Sequence, residues 1–212
     1  MVTQSLVDPS QGIETETGGE MLTLRSTGLT VSRSTLLLKL LGHLDELLQR
    51  AYTRAQEVFE REAEGERRPW EYRGLYVSRG EVERLLAQPP GTPVVSATRN
   101  EPQAIEVFSN PPIWGEFGAR LGLTAFDQAV TMLALAPELD LRYERLYAYL
   151  QDDVTRRRPT VNLALDIFCP TAETKIEWRS HFEADAPLIQ AGLLKLVVEP
   201  HRASPSWLDQ SL

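Results

Sequence analysis

Three consecutive arginines, Arg156, Arg157 and Arg158, form the densest cluster of functional side chains in this 212-residue sequence. They stand directly before the apolar segment 161–168, whose polar residues are Asn162 and Asp166. Arginines at the start of a helix in a helix-turn-helix commonly contact phosphates, so DNA binding is one hypothesis. A helix that reads bases needs an exposed polar face, however, and this segment is mostly apolar. We therefore favour a role in protein contacts for the arginines and Asn162.

Ion pairs within the chain are a second role for the arginines. Three acidic residues lie close enough in sequence to serve as partners: Asp152, Asp153 and Glu144. Paired guanidinium groups stabilise local structure and are less available to a ligand.

Residues that could form an active site are scattered along the chain. His43, His181 and His201 occur at no metal-ligand spacing, and Asp152 with Asp153 would need further oxygen ligands to hold a cation. The single cysteine, Cys169, cannot form an internal disulfide and is expected to be a buried thiol. The phosphate-binding pattern G-x-x-x-x-G-K-[ST] does not occur. The sequence thus predicts no catalytic residue, no cofactor and no metal site, although an enzyme using Asp152, Asp153 or His181 stays a third hypothesis.

The charge balance makes nucleic acid an unfavourable partner. The chain has 22 Lys and Arg against 30 Asp and Glu, a net charge of -8. Residues 1–100 hold 12 basic and 14 acidic residues and residues 101–212 hold 10 and 16, so both halves are acidic. No segment approaches the roughly 20 apolar residues of a membrane span, and the N-terminus is unlike a secretory signal. We expect a cytoplasmic protein with no membrane partner, and we rank nucleic acid below protein as its partner.

The first half of the chain predicts a tail, a long helix and a short one. Residues 1–32 are polar and are expected to be a flexible tail. From Ser34 to near Gly65, leucines and alanines recur every three or four residues, which indicates one amphipathic helix. Ser78 and Glu81 form a capping-box pattern for a helix that ends before Pro89. We assign residues 33–88 to these helices and residues 89–112 to a loop or tether.

Each of the two helices carries an apolar stripe. Val82, Leu85 and Leu86 form the stripe of the short helix, and the stripe of the long one faces either its own chain or another subunit. In the second case the protein would self-associate.

Residues 113–212 predict a series of short helices followed by a β-ribbon. Helix starts are indicated at residue 113 and by the capping residues Thr124, Asp140, Thr160 and Thr171. Pro137 is expected to end the second of these helices. The apolar residues of the third helix are expected to face inward: Leu141, Tyr143, Leu146, Tyr147 and Leu150. Residues 193–198, paired with residues 206–208, would form the ribbon. The order predicts a mainly α fold: a winged helix-turn-helix domain with a small β-ribbon as its wing.

The stretch Ala134–Phe168 resembles the N-terminal region of a bacterial family of AAA+ ATPases, in which a winged-helix domain precedes the ATPase core. The run 72–78, followed by Glu81, Val82, Leu85 and Leu86, is similar to that family's first segment, and the resemblance extends over about residues 34–212. The Walker A and Walker B motifs of the family have no counterparts in this sequence.

The resemblance implies a non-catalytic N-terminal module of an AAA+ ATPase. Its expected partners are a protein client or adaptor, or the ATPase core in an assembled ring. Some relatives accompany phage-tail-like contractile injection particles, which suggests that setting here. The alternative is a winged-helix DNA-binding protein.

Overall fold

A computed structural model describes residues 21–23, 30–65, 79–109, 118–197 and 207–212. The protein is mainly helical. The strands are β1 (Met21–Thr23) and β2 (Thr30–Ser32), and the α-helices are α1 (Arg33–Gly65), α2 (Arg79–Ala87), α3 (Ala125–Leu139), α4 (Arg142–Leu150), α5 (Val161–Phe168), α6 (Ala172–Glu177) and α7 (Pro187–Gln190). Residues 118–121 are also helical. In these described ranges, 3-10 helices span Pro102–Ser109, Trp178–Phe182 and Trp207–Asp209.

The long helix predicted from the leucine spacing is present as α1. Leu40, Leu44, Leu48 and Ala51 lie on one face and are buried in the core of their own chain. Most of the stripe therefore packs within its own chain, where α1 contacts α3, α4 and α5. β1 and β2 pair antiparallel inside the range predicted to be a tail, with Leu22 opposite Val31. Residues 1–20 lie outside the described part of the chain.

Helix α2 has nearly the predicted bounds, but its apolar stripe is not buried. Val82, Leu85 and Leu86 are all exposed, Leu86 to 80%. The periodicity of a helix reports an apolar face and does not specify what covers it. The proposed capping residue Ser78 lies outside the described residues.

The segment predicted to be a tether is packed into the body. Within residues 89–109, Val95, Ala97, Ile105 and Phe108 are buried, and the 3-10 helix Pro102–Ser109 packs on α3. The segment is held there because it donates hydrogen bonds to carbonyls at the C-terminal end of α5. The backbone N–H of Ala97 donates to the Ile167 carbonyl at 2.9 Å. We refer to residues 93–98 as the strap.

The strap covers the C-terminal end of α5 with side-chain as well as backbone donors. The hydroxyl of Ser96 donates to the carbonyl of Cys169 at 2.7 Å, and that of Thr98 donates to the carbonyl of Phe168 at 2.8 Å. Carbonyls in the last turn of a helix have no partner inside it, so a buried helix end needs such donors.

Thr124 caps α3 as predicted, with a reciprocal capping box to Asp127. Pro137 does not end this helix, which continues to Leu139. A proline lacks the N–H that would donate to the carbonyl four residues earlier, here that of Leu133. The buried hydroxyl of Tyr147 on α4 donates to this carbonyl at 2.8 Å instead. The helix can therefore accommodate Pro137 because α4 replaces its missing donor.

Helices α4, α5 and α6 begin close to the predicted positions. Thr160 and Thr171 cap α5 and α6 through their side-chain oxygens. The Asp140 carboxylate accepts from the Arg142 backbone N–H at the start of α4. Tyr143, Tyr147 and Leu150 are buried as predicted, whereas Leu141 and Leu146 are exposed. The two tyrosines and Leu150 supply the core contacts of α4, so its other face is left to solvent.

A β-ribbon wing is not seen in the described ranges 193–197 and 207–212. Residues 207–209 form a 3-10 helix, and the antiparallel pairing is limited to isolated bridges from Ser211 to Val197 and Thr160. Leu212 donates its backbone N–H to the Pro159 carbonyl at 2.9 Å. The last described residues thus lie between the start of α5 and Val197. No helix among the described residues combines the length and apolar character needed to cross a membrane.

Candidate functional site

The arginine cluster lies in the loop between α4 and α5, and each arginine contacts a different part of the protein. Arg156 is the most buried, with 17% of its side chain exposed. Its Nη2 lies 2.8 Å from Oδ1 of Asp209, and its Nε lies 3.3 Å from Oδ2 of Asp153. It therefore links this loop to the last described segment of the chain.

Arg157 and Arg158 face acidic residues on two helices. Arg158 bonds to Glu138 near the end of α3. Arg157 lies 4.0 Å from Glu144 on α4, and 70% of its side chain is exposed. The predicted ion pairs with Asp153 and Glu144 are confirmed, while those with Glu138 and Asp209 were not predicted. Of the three arginines, Arg157 is the one best placed to reach a ligand.

Gln151 organises this loop and was missed by the sequence analysis. Its Nε2 donates to the carbonyls of Arg156 and Arg158, each at 3.0 Å, and its Oε1 accepts from the Thr160 hydroxyl at 2.8 Å. The amide thus joins the loop to the capping residue of α5. A single glutamine after a helix has no distinctive sequence pattern that would have revealed this role.

The side-chain amide of Asn162 is bound within the protein rather than free to contact a DNA base. Its Nδ2 donates to Oδ2 of Asp166 at 2.7 Å. The other oxygen of Asp166 accepts from Lys175 Nζ at 2.6 Å and from the backbone N–H of Val94 at 3.2 Å. Asp166 and Lys175 are both buried. This network joins α5, α6 and the strap.

Helices α5 and α6 follow one another with Cys169, Pro170 and Thr171 between them, a connection as short as that of a helix-turn-helix. The sequence predicts the recognition element at Val161–Phe168, but seven of the eight residues of that helix are buried. If α5 and α6 are read as such a pair, α6 is the helix that would enter the major groove. Its one lysine, Lys175, is inside the protein.

The outward residues of α6 are acidic or apolar. Glu173 and Glu177 are exposed, and Ile176 is 60% exposed between them. The turn at Gly91 lies against the start of this helix: a Cβ at Gly91 would lie 3.4 Å from Ala172 Cβ. Gly91 has a φ of +77°, a conformation that suits glycine. The N-terminal turn of α6 is therefore partly covered.

His181 pairs with Asp127 instead of the acids Asp152 and Asp153. Its Nδ1 lies 2.7 Å from Oδ1 of the buried Asp127 carboxylate. Burial alone would raise the pKa of Asp127, but hydrogen bonds from His181 and Thr124 outweigh it and hold the pKa below its ordinary value of 3.8. The His181 ring also packs edge-on against Phe126. The pair joins the 3-10 helix Trp178–Phe182 to the start of α3.

Cys169 is buried, as predicted. Burial raises the pKa of its thiol from 9.0 to about 12, so the thiolate is not populated at neutral pH. The described residues hold no group of three or more His, Cys, Asp or Glu side chains that could bind a metal ion.

An open groove of about 420 Å³ lies between α1 and the α3–α4 corner. Its floor is aliphatic, formed by Leu37, Leu38, Leu41 and Leu139. At its rim Arg142 bonds to Asp45 and Asp140, and the Tyr143 hydroxyl donates to Asp45 at 2.8 Å. We call it the α1/α4 groove.

Residues 116–212 match the family model described as winged helix domain, variant. This part of the chain is a winged helix domain, and in the described structure it holds α3 to α7 and the isolated bridges of Ser211 to Thr160 and Val197. The match covers a little under half of the chain. Neither the curated proteins nor the solved structures include a match to this chain.

Proposed function

We propose that this protein is a non-catalytic N-terminal module of an AAA+ ATPase and mediates protein contacts. The contacts would recruit a client or adaptor, or support assembly of the ATPase ring, in the setting of a phage-tail-like contractile injection system. The AAA+ assignment rests on the resemblance of Ala134–Phe168 together with the winged helix domain at residues 116–212.

The character of α6 is the observation that carries the protein-contact role. A helix that binds the major groove presents cations and amides to phosphates and base edges. On α6 the lysine is buried in an ion pair, and two glutamates flank an exposed isoleucine. Glutamates at this position would repel the phosphate backbone, whereas an apolar residue beside charges is typical of a surface that binds protein.

Ile176→Asp is the variant that tests the client contact. We expect the full ATPase carrying it to lose most client capture in a pull-down while retaining its basal ATP hydrolysis. Val154→Asp is the matched control, because Val154 is also exposed but lies in the loop after α4. Unchanged capture by a protein lacking residues 33–212 altogether would refute the interaction role.

The parent protein is tested independently by sequencing the coding region beyond Leu212. An in-frame Walker A motif would support the AAA+ assignment. A different downstream domain would refute it and leave the contact role to be tested with that protein.

DNA binding is the second candidate, favoured by the exposed guanidinium of Arg157. If it were correct, affinity for duplex DNA would fall steeply with salt and weaken further in Arg157→Ala. We expect no saturable binding even at low salt. Glu173→Lys with Glu177→Lys provides a positive control, since a basic α6 should acquire salt-sensitive binding if this face can approach a duplex.

A further inference from the structure

The surface around α6 is negative because two basic residues of this region are paired inside the protein. Lys175 of α6 is buried, and its Nζ lies 2.6 Å from Oδ1 of Asp166. Nδ1 of His181 lies 2.7 Å from Oδ1 of the buried Asp127 carboxylate. These two basic residues therefore face internal carboxylates and do not neutralise the acids on the surface.

The exposed charges of residues 171–190, all of which the structure describes, are mostly negative. Four acids and one base are exposed in this range: Glu173, Glu177, Glu183, Asp185 and Arg179. Neither Glu173 nor Glu177 forms an ion pair with a described residue. The whole chain, with a net charge of -8, adds to the same field. A partner that approaches α6 therefore meets a negative potential.

An apolar side chain lies between the two glutamates of α6. Ile176 is 60% exposed, and its positions relative to Glu173 and Glu177 place all three on one side of the helix. We call these three residues the α6 face. The turn at Gly91 lies beside it, since a Cβ at Gly91 would be 3.9 Å from Cδ1 of Ile176. An apolar side chain of a partner can therefore pack on Ile176 between two carboxylates.

We propose that the partner of the α6 face is a basic amphipathic segment of a protein. Its apolar side chain packs on Ile176, and its lysines or arginines pair with Glu173 and Glu177. The charge of the face selects this partner, because an acidic segment is repelled and an uncharged one gains no ion pair. This inference rests on the proposed function and specifies the chemistry of the client.

Fluorescence anisotropy with a labelled amphipathic lysine–leucine peptide tests the proposal on this chain. We expect saturable 1:1 binding that weakens as salt is added, because salt screens the exposed charges. A lysine–serine peptide of equal charge lacks the apolar anchor, and a glutamate–leucine peptide is repelled. Each of these two peptides should bind at least about fivefold more weakly.

Two double variants of equal net charge separate the α6 face from the charge of the whole chain. Each removes two acids, so -8 plus 2 gives -6 for both. Glu173→Gln with Glu177→Gln should weaken binding of the lysine–leucine peptide about 2- to 30-fold, the effect of losing two exposed ion pairs. Glu183→Gln with Asp185→Asn lies in the exposed turn before α7 and should change binding less than about twofold. Ile176→Ser removes the anchor without adding a charge and should weaken binding at least about fivefold.

These side chains are exposed, so folding should be unaffected, as checked by circular dichroism. Equal losses in the two double variants would show attraction by the whole chain and overturn the assignment to the α6 face. Absence of binding at low salt, or equally tight binding of the glutamate–leucine peptide, would overturn the choice of a basic partner. Equally tight binding of the lysine–serine peptide, or no effect of Ile176→Ser, would overturn the apolar anchor.

The partner class and the proposed function can fail separately. Client capture by the full ATPase that is lost in Ile176→Asp but unchanged in Glu173→Gln with Glu177→Gln would refute a basic client and leave the contact role standing. Specific binding of the lysine–leucine peptide, together with client capture that is unchanged in Ile176→Asp, would refute the client role and leave the peptide specificity standing.

Discussion

The hydrogen bond from Tyr147 to Leu133 should matter because of Pro137. Tyr147→Phe removes the hydroxyl and leaves a buried carbonyl without the partner that replaces the missing proline N–H. Leaving a buried polar group unsatisfied costs about 1–3 kcal/mol. For a chain of this size each kcal/mol lowers the melting temperature by about 2–4 °C. We therefore expect Tyr147→Phe to melt about 2–12 °C lower, measured by thermal and urea unfolding.

A double-mutant cycle isolates this cause. In Pro137→Ala the new backbone N–H can donate to the Leu133 carbonyl, so the same Tyr147→Phe change should then cost less. We expect a coupling of about 1 kcal/mol between the two positions. Burial raises the pKa of Tyr147 well above 10, so the hydroxyl stays protonated across the usable pH range.

Tyr143→Phe is the matched control for the cycle. This tyrosine is one turn earlier on α4, and its hydroxyl bonds to Asp45, which also binds Arg142 and is partly exposed to water. Its loss should be smaller and independent of Pro137. An equal cost of Tyr147→Phe in both backgrounds, or no cost in either, would show that α4 does not compensate for the proline.

Three other features have testable consequences. The pKa of Asp127 is lower in the folded protein than its unfolded value near 3.8, so the ionised carboxylate stabilises the fold above that value and this contribution is lost as pH falls through the folded pKa. Asp127→Asn should lower the free energy of unfolding at pH 7. In urea titrations at pH 2–6, its free energy of unfolding should depend less on pH than that of the unaltered chain. The Cys169 thiol should react with Ellman's reagent at pH 8 only as fast as the protein opens, and rapid stoichiometric labelling of the native chain would contradict its burial. The fragment 116–212 should show no cooperative melting, whereas residues 33–212 should, because the fragment lacks α1 and the strap; a cooperative transition in the fragment would show that the winged helix domain is independent of both.

Local signals in the sequence predicted helix starts well. Thr124, Thr160 and Thr171 each satisfy a backbone N–H at the start of the helix that follows them, which requires neighbouring residues alone. The leucine spacing of α1 similarly predicted one long helix. Errors arose where a distant partner decides the outcome. Pro137 was expected to end α3 because the donor that replaces its N–H comes from Tyr147, on the next helix.

The ion pairs of the arginine cluster were predictable where both partners are close in sequence. Asp153 and Glu144 lie near the arginines in the chain, and both were predicted as partners. Asp209 is 53 residues from Arg156, and nothing in the sequence indicates that contact. The polar residues in and around the strap have the composition of a linker. Ser96 and Thr98 donate hydrogen bonds to carbonyls at the C-terminal end of α5, about 70 residues away in sequence, so local sequence does not indicate these bonds.

The strap also bears on how this winged helix domain is used. In the network, Asp166 of α5 binds Asn162 of the same helix and the buried Lys175 of α6, and the backbone N–H of Val94 in the strap is a fourth partner. A DNA-binding helix must keep such groups free to meet bases, so the same residues cannot hold the strap and read a duplex. Once α5, α6 and the strap are joined in this way, α6 presents Ile176 and its flanking glutamates outward. The internal network thus leaves the glutamates and Ile176 as the outward residues of α6, which is the observation that supports the proposed protein partner.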